Sequence, residues 1–126
     1  MKVFTSNWCP VNTVQILVNG RVDQSLVFTK EKNPELFSEV PCVFEKDIPV
    51  SLTSDAHLIV IAYGKGETVG KVQGGVMRNV PPIAMANPVF VDVDGNGFKA
   101  NMDLLDNPMP TGKSGRAIPQ EEADPE

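Results

Sequence analysis

The sequence has a single histidine and two cysteines among its 126 residues. One histidine excludes every metal site within this chain that needs two or more histidine ligands. The two cysteines, Cys9 and Cys42, lack the Cys-x-x-Cys spacing that is typical of zinc and redox sites. We therefore expect two free thiols, and a disulfide between them stays open as the alternative.

Long apolar runs and basic stretches are also missing. No apolar run approaches the ~20 residues that a membrane-spanning helix needs, and the polar first residues do not have the pattern of a signal peptide. The formal net charge is -5, with 11 basic and 16 acidic residues. Because anionic partners need a basic surface, we expect neither nucleic acid nor membrane insertion. An extracellular or periplasmic location, as part of a longer parent protein, stays open.

Short β-branched and apolar runs, separated by Gly, Pro and Asn, are the main pattern of the sequence. The runs Thr13–Val18 and Arg21–Thr29 flank Asn19-Gly20, a residue pair that favours a tight hairpin turn. The most hydrophobic run, His57–Tyr63, is short enough for a central strand. Alternating apolar residues between 44 and 52 predict one further strand, at an edge or bulged because prolines interrupt it.

Helical periodicity is nearly absent from the sequence. We therefore predict an all-β fold, a β-sandwich of immunoglobulin-like or related type with long loops, over residues 1–106. Residues 30–39 are predicted as a loop with one helical turn, and residues 64–75 as a loop whose glycine spacing does not match a phosphate-binding motif. Residues 107–126 combine proline, glycine and acidic side chains, which predicts a disordered tail.

The most specific local pattern follows the apolar run Val89–Val91. Oxygen-bearing groups occupy alternating positions there, as in a calcium-binding loop, and Gly97 falls where such a loop turns sharply. The candidate ligands are Asp92, Asp94, Asn96, the backbone carbonyl of Phe98, and Asp103. The pattern predicts a strand, the loop and a short helix, with calcium as the one suggested cofactor. The alternative is a plain turn that closes a strand, and both interpretations stay open.

No catalytic constellation is visible around the single histidine. His57 follows a predicted turn at Thr53–Asp55, and no nucleophile motif of the Gly-x-Ser-x-Gly type occurs. Alternating carboxylates in one tight loop suit a metal better than an acid–base pair in a cleft. We therefore expect that this chain has no catalytic residues and is not an enzyme.

Three stretches resemble a known family. Residues 8–20, 55–64 and 83–98 are similar to the region that follows the catalytic domain in PHP-type metallohydrolases of the carbaryl-hydrolase-like group, which are mostly bacterial and often exported. The most specific part is the block Ala-x-Ala-Asn-Pro-Val-Phe-Val-Asp-Val-Asp-Gly-x-Gly, which begins at Ala84. The resemblance covers residues 7–106. It implies a β-rich accessory region, because the metal-binding residues of that family lie in the preceding catalytic domain.

Two functions follow as expectations. The first is a non-catalytic accessory domain that supports or positions a hydrolase domain absent from this chain, so the expected partner is that domain or another protein. The second is a calcium-stabilised extracellular module that binds glycan or protein, and it depends on the calcium loop.

Overall fold

The computed structural model describes residues 1–106, and the predicted disordered tail lies outside the described residues. The described residues form an all-β fold with two antiparallel sheets and little helix, which confirms the all-β part of the prediction. The strands are β1 (Lys2–Phe4), β2 (Thr13–Val18), β3 (Arg21–Thr29), β4 (Cys42–Glu45), β5 (Ala56–Tyr63), β6 (Ile83–Met85) and β7 (Val89–Val91). Helix α1 (Gly74–Met77) and two 3₁₀ turns (Pro34–Leu36 and Gly70–Gln73) complete the described elements.

The larger sheet is built around β5, as its hydrophobicity predicted. Its strand order is β3-β2-β5-β6, and β7 also pairs with β5. Strands β2 and β3 have the bounds that the sequence predicted, and the turn residues Asn19 and Gly20 both have positive φ, at 52° and 79°. Such a turn matches the right-handed twist of paired strands, which explains why two local residues were enough to predict the hairpin.

Strands β6 and β7 together form one edge of the larger sheet. Met85 pairs with Ile61 and Val89 pairs with Leu58, so three residues of the edge lie opposite two residues of β5. This is a β-bulge of one extra residue, and it contains Pro88. Proline lacks the N–H that a central strand needs, which confines this segment to a sheet edge.

The core contains side chains from both sheets. Val14 and Phe44 are fully buried, and the Phe44 ring lies between Phe28 of the larger sheet and Phe37, with centroid distances of 5.6 and 5.3 Å. Ala62 completes this cluster. Aromatic pairs at such distances and tilts stabilise a core beyond their area burial, by about 0.5–1.5 kcal/mol each.

Three sequence predictions of local structure were wrong or incomplete. The strand predicted between residues 44 and 52 ends at Glu45, because Lys46 exchanges backbone hydrogen bonds only with Met1, residues 47–52 pair with no described strand, and Pro49 lacks a donor. The short helix predicted after the calcium loop does not form in residues 98–106, where Met102, Leu105 and Asp106 have positive φ. The predicted loop 64–75 includes a 3₁₀ turn and the start of α1.

The two cysteines are free thiols in the structure, as expected. Cys42 begins β4, and its Sγ lies 3.7 Å from the carbonyl oxygen of Phe44. Cys9 is partly buried, and its carbonyl oxygen accepts a hydrogen bond from the Thr5 hydroxyl at 2.6 Å. Both cysteines therefore have ordinary structural contacts.

Candidate functional site

The end of the β5–β7 ladder brings acidic residues together. Ala56 pairs directly with Val91, so the residue before β5, Asp55, and the residue after β7, Asp92, lie at the same end of the ladder. With Asp94 they form a group in which one carboxylate oxygen from each residue lies within 4.8 Å of the others. We call Asp55, Asp92 and Asp94 the acidic cluster.

Asp92 organises the turn that follows β7. Its two carboxylate oxygens accept hydrogen bonds from the backbone N–H groups of Gly95 and Gly97, at 2.7 and 2.8 Å. Both glycines have positive φ, 73° and 101°, which the absence of a Cβ permits. The hydrogen bond from Gly97, followed by that from Gly95, lowers the pKa of Asp92 below its ordinary value.

Asp55 ties the loop to the start of β5. Its oxygens accept hydrogen bonds from the backbone N–H groups of Val93, at 2.9 Å, and Lys99, at 2.7 Å. Asp94 accepts a hydrogen bond from the Asn96 backbone at 3.2 Å and a second from the Asn96 side-chain amide. The loop is therefore held by hydrogen bonds between its own carboxylates and backbone, which is also what a plain turn requires.

The predicted fifth ligand lies elsewhere in the structure. The Asp103 carboxylate forms a two-pronged ion pair with the guanidinium of Arg21, one contact of which measures 2.8 Å between Nη2 and Oδ1. Asp106 binds the same guanidinium, at 3.0 Å. The hydrogen bond from Arg21 lowers the pKa of Asp103 to about 2. Asp103 thus fastens the segment after the loop to the β2–β3 hairpin.

The remaining predicted residue, Phe98, contributes its ring to an aromatic row. Its ring contacts that of Phe90 edge-on, with 4.9 Å between centroids, and Phe90 in turn lies 6.2 Å from the imidazole of His57. His57 is half-buried within β5, and its backbone N–H donates to the side chain of Asn19 at 3.0 Å. His57 thus contributes its backbone N–H to the contact with the hairpin turn and its ring to the aromatic row.

The structure thus brings together three of the predicted ligands, Asp92, Asp94 and Asn96, and adds Asp55. The sequence placed Asp55 in a turn but gave it no metal role, because the pairing of β5 with β7 joins residues far apart in the chain. Three carboxylates are hard oxygen donors, which suit calcium. Calcium takes six to eight oxygens, so this cluster fits the ion only with further oxygens from backbone or water.

A second feature is the apolar surface along the β6–β7 edge. Ile83, Met85, Val89 and Phe90 are 59–65% exposed. An open groove of about 600 Å³ adjoins this edge on the core side of the larger sheet. Apolar side chains dominate its lining, among them Ile16, Ile48, Val50, Leu58, Val60 and Val89. Residues 46–50 form no strand, so no described strand packs over this part of the larger sheet, and the groove lies there.

Comparisons with protein-family profiles, with curated proteins and with solved structures gave no significant match to this chain. No helix in residues 1–106 combines the length and the apolar character that crossing a membrane requires. The two features on which a function can be argued are therefore the acidic cluster and the apolar edge with its groove.

Proposed function

We propose that this chain is a non-catalytic β-sandwich accessory domain that supports or positions a catalytic domain, as the resemblance to the PHP-type metallohydrolases implies. The observation that carries the proposal is the apolar edge of the larger sheet. Exposed strand edges usually carry charged residues that prevent pairing with other chains. The segment Ile83–Val91 contains no charged residue, and four of its large apolar side chains are exposed. Such a surface is typical of a protein that docks against another domain.

The groove beside the edge supports the same proposal. Its lining includes residues on the face of the larger sheet that forms the core, since buried Ile16 pairs with half-buried Val60, two residues along the ladder from the buried pair Val14 and Ala62. Burying apolar surface is worth about 25 cal/mol per Å². A partner that fills this groove therefore buries apolar surface, and that burial stabilises the complex.

The proposal is tested by assaying the purified chain for hydrolysis. The chain is incubated with phosphoester and carbamate substrates, with and without divalent cations, after a cooperative thermal transition has shown that it is folded. We expect no turnover above that of a blank purification. Turnover that co-elutes with the folded chain contradicts the accessory role. The matched control is the Asp92→Ala/Asp94→Ala variant, which shows whether such turnover depends on the acidic cluster.

The acidic cluster favours a second candidate, a calcium-stabilised binding module. Its three carboxylates repel one another, and a divalent cation removes that repulsion while it crosslinks the start of β5 to the loop after β7. Calcium that binds only the folded chain raises the free energy of unfolding by RT ln(1 + [Ca²⁺]/Kd), about 2.7 kcal/mol at 100 times Kd.

Calorimetric titration with calcium chloride tests this candidate. We expect binding with a stoichiometry of one, a rise in melting temperature, and loss of both effects in Asp55→Asn/Asp92→Asn. The Asp103→Asn variant tests whether Asp103 is a calcium ligand, as the sequence pattern predicts. It removes the carboxylate that pairs with Arg21 and leaves the acidic cluster intact. Absence of heat at millimolar calcium removes the second candidate and leaves the loop as a turn.

A further inference from the structure

The direction in which the backbone groups of the edge point limits what can pair with it. The Ala86 N–H donates to the Val60 carbonyl at 2.9 Å, so Ala86 faces β5, and its neighbour Met85 faces away. The His57 carbonyl accepts from Asn19 of the hairpin, so the next residue, Leu58, faces the edge and pairs with Val89. Phe90 therefore also faces away from β5. The outer side of the edge presents the backbone groups of Met85 and Phe90 for another strand.

The edge is asymmetric in charge. The acidic cluster, with its three carboxylates, lies at the Val91 end of the edge. One basic residue, Lys99, lines a cavity of about 340 Å³ together with Asp55 and Asp94, so negative charge predominates at this end. The strand itself is uncharged, and at its Ile83 end the preceding residues are two prolines. A segment that pairs with this edge therefore meets negative charge at one end and apolar side chains along the rest.

We infer that the β6–β7 edge binds an extended segment of a partner protein that has apolar side chains at alternate positions and a basic residue beside the acidic cluster. This inference rests on the proposed function and names the partner chemistry of the same edge. Antiparallel pairing is the more stable arrangement, so the basic residue lies at the N-terminal end of the incoming segment. Main-chain hydrogen bonds supply affinity in this mode, and the pockets for alternate side chains supply selectivity.

Charge complementarity favours such a segment over a second copy of this chain. Each copy has a formal net charge of -5, so two copies repel each other at long range. A basic segment is attracted instead. The groove supplies the second part of the match, because alternate side chains of an added strand point to the side on which Val89 and Leu58 line the groove.

The test uses the full chain and a synthetic peptide, acetyl-Lys-Lys-Thr-Val-Thr-Val-Thr-Val-amide, observed by NMR. The control peptide has the reversed sequence and therefore the same composition and charge. We expect binding in low salt that protects the Met85 and Phe90 amides from hydrogen exchange, and an affinity at least ~5-fold lower for the reversed peptide, because charge placement sets register. Equal affinities, no binding at millimolar peptide, or protection at β3 instead overturns the inference.

Two pairs of variants test separately how the charge of the acidic cluster and the strand edge contribute to peptide binding. Asp92→Asn/Asp94→Asn should weaken peptide binding by roughly 5- to 10-fold, an effect that high salt removes, while Glu31→Gln/Glu35→Gln should not. Met85→Lys should abolish binding, while Val22→Lys, on the opposite edge strand β3, should leave it unchanged. Protection of Met85 and Phe90 without peptide, together with dimers in sedimentation, assigns the edge to a second copy and overturns the inference. These outcomes are independent of the hydrolysis assay.

Discussion

At the scale of single residues, Asp103 shows how a plausible ligand acquires a different role. Its position twelve residues into the loop pattern suggested a calcium ligand, but its carboxylate binds the guanidinium of Arg21. Arg21 begins β3 and lies beside the hairpin turn, where Leu105 also approaches Gly20. The sequence could not show this, because Arg21 and Asp103 are 82 residues apart.

The ion pair predicts a pH dependence. Because Arg21 lowers the pKa of Asp103 to about 2, Asp103 stays charged in the folded chain well below its ordinary pKa of ~3.9. A lowered pKa stabilises the folded state at pH values above the ordinary pKa, and this contribution disappears as pH falls from about 4 to about 2. A carboxyl ¹³C titration of Asp103 checks it.

The control for this titration is Arg21→Gln, which should return the Asp103 pKa toward its ordinary value. It should also accelerate amide exchange at Leu105, whose backbone N–H donates to Asp103 at 2.9 Å. The thermal stability of the β2–β3 hairpin should change little, because solvent-exposed ion pairs contribute little to stability. A wild-type Asp103 that titrates near pH 4 contradicts the ion pair.

At the scale of elements, the sequence predicted the features that depend on residues close together in the chain. The Asn19-Gly20 turn predicted both hairpin strands, and it sets the pairing next to it, Val18 with Arg21 and Leu17 with Val22. Beyond Leu17 the register shifts, so that Gln15 pairs with Val27, which the turn alone did not predict. The strand predicted to reach residue 52 was wrong, because alternation alone cannot supply a strand partner for residues 47–52. The bulge in the β6–β7 edge was also missed, since it is defined only by the residues of β5 that lie opposite. The acidic cluster depended on the same pairing.

Within the edge, Pro88 and the bulge have a consequence for recognition. A bulge bends and twists its strand locally, so a partner cannot pair continuously along all nine residues of Ile83–Val91. It can pair at Met85 and at Phe90, on either side of the interruption. This divides the edge into two short docking stretches, one at Met85 and one at Phe90.

At the scale of the whole molecule, the described part of the chain has one well-packed end and one open end. Phe28, Phe37 and Phe44 pack together where the two sheets meet. The open end lies between residues 46–50 and the β6–β7 edge, where half-buried groove residues such as Ile48 and Val60 pack against this core and Ile83, Met85, Val89 and Phe90 of the edge are exposed to solvent. Both the accessory role and the strand-binding inference depend on that open end being free in solution.

Amide hydrogen exchange of the isolated full chain, measured residue by residue, tests this claim most directly. We predict an alternating pattern: the amides of Ala86 and Val89 face β5 and exchange slowly, whereas the amides of Met85 and Phe90 face solvent and exchange at nearly the rate of an unstructured peptide. Slow exchange at all four positions, independent of protein concentration, means that the chain itself covers the edge. That result contradicts an edge open to a partner.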